Sequence, residues 1–207
     1  MRVIGRVAIA CFLLVLLVGC SLAIYSIWLD HKAAKIIRLS GELLQRDSLP
    51  TIENLRQQFG GQLQQSSACS VAGCEFDIKL SNHILALFHL APYTALRSAF
   101  WVRDGVLEEN SLEVWTMTSR ERMIVAYVDA KYCKECTEFE VVPSEGQKTE
   151  IASGSVRVGS RSTATQKRNA FGFNAKCMNN PKACSSIADL LPTIWNEGKD
   201  GTLQRRR

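Results

Sequence analysis

The pattern of apolar and polar positions divides the chain into an apolar N-terminal run and a longer region of mixed character. Residues 7–29 contain no charged side chain. As a helix rising about 1.5 Å per residue, they would cover about 34 Å, enough to cross a hydrocarbon core of about 30 Å. Because backbone groups inside a bilayer must pair within their own segment, the run predicts a transmembrane helix.

Beyond this run the periodicity changes from helical to strand-like. Residues 30–47 and 52–59 place apolar side chains three and four positions apart, which predicts two helices. Residues 74–80 alternate between apolar and charged side chains, which predicts a strand with one buried face. The pair Asp104-Gly105 between two further strand-like segments is typical of a two-residue hairpin turn.

The C-terminal half continues this pattern less evenly. Residues 122–130 are the most β-rich stretch of the chain and predict a strand. Residues 144–165 are rich in Ser, Thr, Gly and charge, so we expect a long mobile loop in which Val156 and Val158 alone favour a short strand. Residues 187–195 have the apolar spacing of an amphipathic helix.

These elements predict an α+β protein, in which an N-terminal transmembrane helix precedes an antiparallel sheet of about five to seven strands. Helices near the beginning and the end of the domain are expected to cover one face of this sheet. The predicted organisation is a short tail (1–6), a transmembrane anchor (7–29), a juxtamembrane helix (30–48), an extracytoplasmic α+β domain (49–197) and a flexible basic tail (198–207).

Two processing alternatives compete with a retained anchor. Arg2 and Arg6 before the apolar run also fit a cleaved secretory signal. The sequence Leu17-Val18-Gly19-Cys20 resembles the bacterial lipobox, which makes Cys20 a lipidation candidate, and residues 7–29 would then be a lipoprotein signal. The retained helix is the main prediction, because the run stays apolar beyond Cys20.

The chain has eight cysteines, of which Cys11 and Cys20 lie in the apolar run. The others form three close pairs and are disulfide candidates: Cys69 and Cys74, Cys133 and Cys136, Cys177 and Cys184. An even number of cysteines in a domain attached to an export-type segment indicates an oxidising compartment. We therefore expect a single-pass protein of the plasma (inner) membrane, bacterial in origin, with its C-terminal domain in the periplasm or outside the cell.

Cys133-Lys134-Glu135-Cys136 is the motif that most suggests chemistry. A Cys-x-x-Cys at a helix N-terminus can exchange disulfides, so a thiol-disulfide oxidoreductase using Cys133 and Cys136 is one alternative function. A hairpin stapled by its own disulfide explains the spacing without an enzyme. A zinc-binding domain is a further alternative, although the other cysteine pairs lack zinc-knuckle spacing and two of the histidines, His83 and His89, lie six positions apart.

No hydrolase, phosphate-loop, dinucleotide-binding or calcium-loop motif occurs in the sequence. For carboxylates such as Glu108 and Glu109, nothing in the sequence distinguishes a catalytic pair from a solvated strand face. The tryptophans are expected in the anchor and the core; they are Trp28, Trp101, Trp115 and Trp195. The prediction is a non-enzymatic binding or assembly module that is stabilised by disulfides, holds no metal or cofactor and contacts membrane lipid through residues 7–29. Its protein partner and any small-molecule ligand are unknown.

The formal net charge of +5 does not imply a nucleic-acid ligand. Arg2 and Arg6 together with the terminal residues 205–207 account for this excess, so residues 30–204 are neutral overall. A basic stretch near residue 160 lies in a Ser/Thr-rich segment without interleaved aromatic residues. We therefore expect no nucleic-acid binding.

A membrane helix that continues into an amphipathic helix, an antiparallel sheet and a late cysteine pair resembles the pilin-like subunits of secretion systems. The resemblance implies a pilin-like secretion subunit as a last alternative. The family's cleavage pattern is a glycine followed by an aromatic residue, with a glutamate five positions in. Here Gly5 is followed by Arg6, and Ala10 occupies the glutamate position, so the resemblance rests on the arrangement of elements alone.

Overall fold

The computed structural model describes residues 2–45, 49–66, 69–70, 73–117, 123–132, 140–144, 151–159, 162–180, 184 and 186–194. Cys133, Cys136 and the predicted tail 198–207 lie outside the described residues. Within the described parts, the chain combines one long helix, a seven-stranded sheet and several short helices. The predicted α+β class is therefore confirmed.

The elements follow one another in mixed order. The helices are α1 Arg2–Leu43, α2 Ile52–Phe59, α3 His83–Leu87, α4 Ala164–Ala170 and α5 Ile187–Leu190, with short 3-10 helices at Gly60–Gln62 and Ala175–Met178. The strands are β1 Gln64–Gln65, β2 Cys74–Ser81, β3 Thr94–Arg103, β4 Val106–Met117, β5 Met123–Lys131, β6 Glu140–Ser144 and β7 Ile151–Val158. Thr51, Thr163 and Ser186 each begin a helix with a reciprocal capping box, which satisfies backbone N–H groups of the first turn.

Helix α1 is unbroken between the apolar run and the predicted juxtamembrane helix. It is long and apolar enough to cross a membrane, and most described side chains of its N-terminal half are exposed. From Leu29 onward, one stripe of the same helix enters the core of the domain through Leu29, Ala33, Ile36, Ile37, Ser40, Leu43 and the adjoining Leu44. One helix thus serves both as the apolar N-terminal segment and as a core element.

The sheet has the strand order β1-β2-β3-β4-β5-β7-β6. Neighbouring strands are antiparallel except β5 and β7, which run parallel, so the sheet is mixed where an antiparallel one was predicted. The expectation of a long mobile loop over residues 144–165 is wrong, because β7 occupies much of it. Strand β7 hydrogen-bonds to β5 on one side and to β6 on the other, and these two ladders hold a segment of weak intrinsic β propensity in place.

The predicted hairpin turn joins β3 to β4. Asp104 has φ of 51° and Gly105 has φ of 77°, the left-handed backbone that a tight hairpin turn requires. The segment before α2 packs beside this turn, since Ile52 N–H donates to the Gly105 carbonyl (3.0 Å) and Leu107 N–H donates to the Pro50 carbonyl (3.0 Å). The N-terminal part of the domain is thereby fixed to the central hairpin.

Helices α1, α4 and α5 all pack on one face of the sheet. Between α1 and the strands, the Ser40 hydroxyl lies 2.8 Å from the Ser98 hydroxyl, and Asn110 Nδ2 donates to the Ser40 carbonyl at 2.9 Å. Both hydrogen bonds are buried, so a shift of the helix would leave their polar groups unpaired. They therefore fix the position of α1 on the sheet. On the opposite face, alternate side chains of β4 remain partly exposed, so that face is open to solvent.

Candidate binding surface

The open face of the sheet carries its polar side chains on the four central strands. The residues that share this face are Glu75, Asp77, Lys79, Arg97, Ala99, Trp101, Glu109, Ser111, Glu113, Trp115, Tyr127, Asp129 and Lys131. They share it because successive residues of a strand point to opposite faces, and the intervening residues are in the core. Tertiary register, not sequence proximity, therefore assembles the surface.

A depression of about 280 Å³ lies at the centre of this face. Two small residues, Ala99 and Ser111, are directly opposite each other on β3 and β4 and form its floor. Longer side chains surround them, so the surface is concave where a row of large residues would make it flat. We call this site the acidic depression; it is lined by Glu75, Arg97, Ala99, Trp101, Glu109, Ser111, Glu113 and Tyr127.

The arginine of the acidic depression is already paired. Arg97 Nη2 lies 2.5 Å from Glu75 Oε1, and Arg97 Nε lies 3.0 Å from Asp77 Oδ2. Lys79 Nζ also lies 3.0 Å from Asp77 Oδ2, which compensates a carboxylate whose side chain is only 2% exposed. Because these partners occupy the guanidinium, Arg97 positions the carboxylates of β2 and is not the group that an incoming anion would meet.

A second acidic group lies toward β5. Asp129 is diagonal to Glu109 across the β4–β5 ladder. Burial, with a smaller contribution from the Glu109 charge, raises the pKa of Asp129 to about 6, while Lys131 and Arg157 act in the opposite direction. The Lys131 ammonium lies 3.6 Å from Glu109 Oε2. The Asp129 carboxyl group therefore changes charge near pH 6.

Two further groups of the depression are affected by burial. Burial raises the pKa of Glu113, although the Trp115 side chain and the Arg97 charge partly offset the effect. Burial also raises the pKa of the Tyr127 hydroxyl, and the neighbouring Asp129 charge adds to it. Tyr127 is thus a neutral donor in the depression, whereas the carboxylates are acceptors that an added positive charge would stabilise.

The raised pKa of Asp129 predicts a pH dependence of stability. An aspartate ionises near pH 3.9 in an unfolded chain, so between about pH 4 and 6 the folded state binds more protons than the unfolded state. The contribution of Asp129 is therefore favourable at low pH and is lost as pH rises through 6. We expect Asp129→Asn to raise the free energy of unfolding relative to wild type by about 1–2 kcal/mol more at pH 7.5 than at pH 4.5, a value reduced for solvent screening.

Urea denaturation of both proteins at the two pH values measures this difference. Asp104→Asn is the matched control, since it makes the same change at an exposed hairpin position where asparagine tolerates the backbone. The control should show the same stability difference from wild type at both pH values. If Asp129→Asn behaved like the control, the carboxyl group would ionise normally.

The structure brings two of the predicted cysteine pairs together. Cys69 is bonded to Cys74, and Cys177 to Cys184, with Cα–Cα distances of 4.4 Å and 5.4 Å. The third predicted pair lies outside the described residues. Cys20, the lipidation candidate, is unpaired and exposed on α1, and its acylation stays a prediction.

These disulfides bear on the zinc alternative. Bonded sulfurs carry no thiolate, so Cys69, Cys74, Cys177 and Cys184 offer no zinc ligands in this state. Across the part of the chain that the structure describes, no cluster of three or more Cys, His, Asp or Glu side chains is arranged to hold a metal ion. A zinc site built from two of the predicted cysteine pairs therefore has no support.

The prediction that the tryptophans outside the anchor lie in the core is wrong for Trp101 and Trp115, which are half-buried on the open face. Trp101 lies half-buried on the open face, where it forms a wall of the acidic depression. Its position could have been found from strand parity, because it is an even number of residues from Arg97 and Arg103, whereas Phe100 and Val102 have the buried parity. The carboxylates were seen in the sequence, but their convergence required the register of four strands.

The acidic depression has more acidic than basic side chains, an aromatic wall and a floor of two small residues. Its lining includes the carboxylates of Glu75, Glu109 and Glu113 but only one cationic side chain. Glu75 is paired with Arg97 and Glu109 with Lys131. Such a site can accept a cationic group through charge-assisted hydrogen bonds. Comparison of the chain with protein-family models, with curated proteins and with solved structures finds no match.

Proposed function

We propose that the chain is a single-pass membrane protein whose C-terminal domain lies outside the cytoplasm and binds a cationic group of a partner protein. Helix α1 supports the anchoring, because its N-terminal half is long, apolar and exposed. The two disulfides support an oxidising compartment, since such bonds persist in the periplasm or outside the cell. The role is binding or assembly, without catalysis.

The acidic depression is the observation that carries this proposal. Glu75 and Glu113 flank Arg97 on neighbouring strands, and Glu109 lies beyond the small floor formed by Ala99 and Ser111. An arginine or lysine side chain entering there would meet carboxylates and the aromatic side chain of Trp101, a residue type that attracts cations. The partner side chain would thus be recognised by its charge and its flat or extended shape.

The size of the depression favours a protruding basic side chain over a large organic ligand. Its volume of about 280 Å³ is near the lower limit of small-molecule sites, and it opens on a flat sheet face. A partner that presents a protruding basic side chain would therefore fit the depression.

Titration of the full-length protein in detergent micelles with a hexa-arginine peptide tests the proposal. Binding is followed by calorimetry, with a hexa-glutamate peptide as the probe of opposite charge. We expect Glu113→Gln to weaken hexa-arginine binding roughly 5–10-fold, because one charge-assisted hydrogen bond contributes about 1–1.5 kcal/mol. Trp101→Leu should weaken it by a similar factor.

The matched control is Glu53→Gln, which makes the same change on an exposed position of α2. It should leave the affinity within twofold of wild type, apart from a small effect of net charge. The proposal would be wrong if the peptide did not bind, or if Glu53→Gln and Glu113→Gln reduced its affinity equally. Equal losses would indicate attraction to net charge without a specific site.

A pilin-like assembly role is the second candidate, and one observation favours it. Helix α1 continues without a break from its exposed apolar half into the stripe that packs against the sheet. This matches the arrangement on which the resemblance rests, whereas Ala10 still stands where that family has a glutamate. The oxidoreductase alternative depends on Cys133 and Cys136, which the described residues do not include.

A further inference from the structure

The connection between β2 and β3 exposes a group of large apolar side chains. We call residues 82–93 the apolar loop. Leu87 is 74% exposed, Phe88 53%, Leu90 49% and Tyr93 45%. Among the residues outside α1 whose side chains the structure describes, the only other large hydrophobic one with comparable exposure is Leu49 at 46%. Contiguous exposed apolar residues on a soluble domain mark a contact site for protein or membrane.

The apolar loop is held firmly in this exposed shape. Asn82 is fully buried at its base and donates from Nδ2 to the carbonyls of Pro92 and Met178, both at 2.8 Å. The Asn82 Oδ1 accepts the N–H of Thr94 at 2.7 Å. Leu85 anchors the inner side of the loop in the core. These buried contacts hold the loop in a conformation in which the apolar side chains point outward.

The apolar loop begins beside the N-terminal half of α1. The Tyr25 hydroxyl donates to the Ser81 carbonyl at 3.2 Å, directly before the loop. Directly after the 3-10 helix Ala175–Met178, Asn179 Nδ2 donates to the Ser26 carbonyl at 3.4 Å. Leu22 also packs against the edge of the core. The base of the loop thus lies at the level of residues 22–26 of α1.

The direction of the strands places the rest of the loop farther toward the N-terminus of α1. Ser98 of β3 contacts Ser40, near the far end of α1, whereas Ser81 of β2 contacts Tyr25. Moving from the first contact to the second follows β2 toward its C-terminal end, where the loop begins. The apolar loop therefore leaves the domain at the end from which the exposed half of α1 projects.

The length of the exposed half fits a bilayer that ends at this level. Residues 7–25 form an uncharged segment that covers about 28 Å as a helix, close to a hydrocarbon core of about 30 Å. Tyr25 and Trp28 stack with their ring centroids 5.8 Å apart, and the Lys32 ammonium lies 4.7 Å from the Trp28 ring. Aromatic rings followed by a lysine are typical of the membrane–water interface.

We propose that the apolar loop inserts Leu87, Phe88 and Leu90 into the interface of the membrane that α1 crosses. This inference rests on the proposed membrane anchoring. Apolar side chains of this size favour the boundary between headgroups and acyl chains, about 5–10 Å below the surface. The loop is then a second membrane contact beside the helix, and the occupant of its apolar surface is lipid.

Fluorescence quenching in reconstituted membranes tests the proposal. The full-length chain with Cys11, Cys20, Cys133 and Cys136 all changed to serine receives one new cysteine, labelled with a fluorophore, at Leu87, Val15 or Asp104 in separate proteins. The Leu87 and Asp104 proteins are placed in phosphatidylcholine–phosphatidylglycerol vesicles that contain lipid with a nitroxide near the top of the acyl chain. The Val15 protein is placed in the same vesicles with the nitroxide near the end of the acyl chain, because residue 15 lies near the middle of the span. Val15 reports on α1, and Asp104 lies on the β3–β4 turn at the opposite end of the sheet.

The label at Leu87 should lose roughly half of its emission, because an interfacial segment lies at the depth of the nitroxide. The label at Asp104 should be unaffected. Quenching at Val15 without quenching at Leu87 would overturn the proposal for the loop while leaving the anchor intact. A blue-shifted but unquenched Leu87 label would mean that protein covers the loop, which also overturns it. Absence of quenching at Val15 would overturn the anchoring itself and the loop proposal with it.

Discussion

Replacing Asn82 with alanine is expected to lower the free energy of unfolding by about 3–5 kcal/mol, the largest effect of any single substitution proposed for this chain. Asn82 is fully buried and makes three hydrogen bonds, to the Pro92 and Met178 carbonyls and to the Thr94 N–H. Alanine would leave buried backbone groups without that partner. These groups join the apolar loop, β3 and the C-terminal segment, so three parts of the domain lose one shared contact.

Urea denaturation of the full-length chain in detergent micelles, followed by tryptophan fluorescence, measures the loss. His83→Ala is the control, because the adjacent side chain is exposed and should change stability by less than about 0.5 kcal/mol. Asn82→Asp should also lower the free energy of unfolding, because the aspartate keeps the acceptor for the Thr94 N–H but presents a carboxylate to two carbonyls. A loss below about 1 kcal/mol for Asn82→Ala would show that water replaces its hydrogen bonds.

The second large effect concerns the disulfide between Cys177 and Cys184. Changing both to serine is expected to lower the free energy of unfolding by about 2–3 kcal/mol, because the bond closes a short loop and restricts the unfolded chain. Both cysteines are almost completely buried, so the new hydroxyls add a desolvation cost. Reduction of the wild-type protein should produce a loss in the same direction.

The control is Cys11→Ser with Cys20→Ser, which removes two exposed thiols that form no disulfide and should leave unfolding of the domain unchanged. Labelling with maleimide in isolated membranes extends the test to the compartment. If the domain lies outside the cytoplasm, Cys177 and Cys184 should react only after reduction and unfolding. Reaction on unfolding alone would contradict the oxidised pair and the proposed location.

Most of the sheet could be predicted from the sequence where local pattern and tertiary burial agree. In β2, charged residues alternate with Phe76, Ile78 and Leu80, and all three of these are buried. The turn at Asp104 and Gly105 was equally predictable, because few residue pairs adopt its backbone easily. In both places a short-range rule determines the structure, and the packing of the domain does not oppose it.

Val156 and Val158 indicated a short strand, but the length and the pairing of β7 could not be predicted, because its stability comes from partners far away in the chain. Its sequence contains Gly154 between two serines, which predicts a loop by propensity. The strand forms because β5 and β6 supply hydrogen bonds on both sides, while Val156 and Val158 fill the core. The parallel pairing with β5 joins residues about thirty positions apart, and a local sequence pattern cannot indicate a partner at that distance.

The candidate site could not be predicted from the sequence for a related reason. Glu75, Arg97, Glu113 and Tyr127 are separated along the chain, and each taken alone resembles an ordinary solvent-facing strand residue. Their convergence depends on the register of β2 through β5, including the shift between Trp101 and Val102. A shift of one residue in any pair would turn these side chains toward the core.

The unbroken passage of α1 into the domain has a mechanical consequence. A flexible linker would let a binding domain sample a volume above the membrane, whereas a continuous helix transmits the angle of one end to the other. If α1 crosses a bilayer as we propose, thinning of that bilayer tilts the helix. Because the sheet packs on the same helix, the sheet then rotates relative to the membrane by the same angle. Membrane thickness would then set the direction from which a partner can approach.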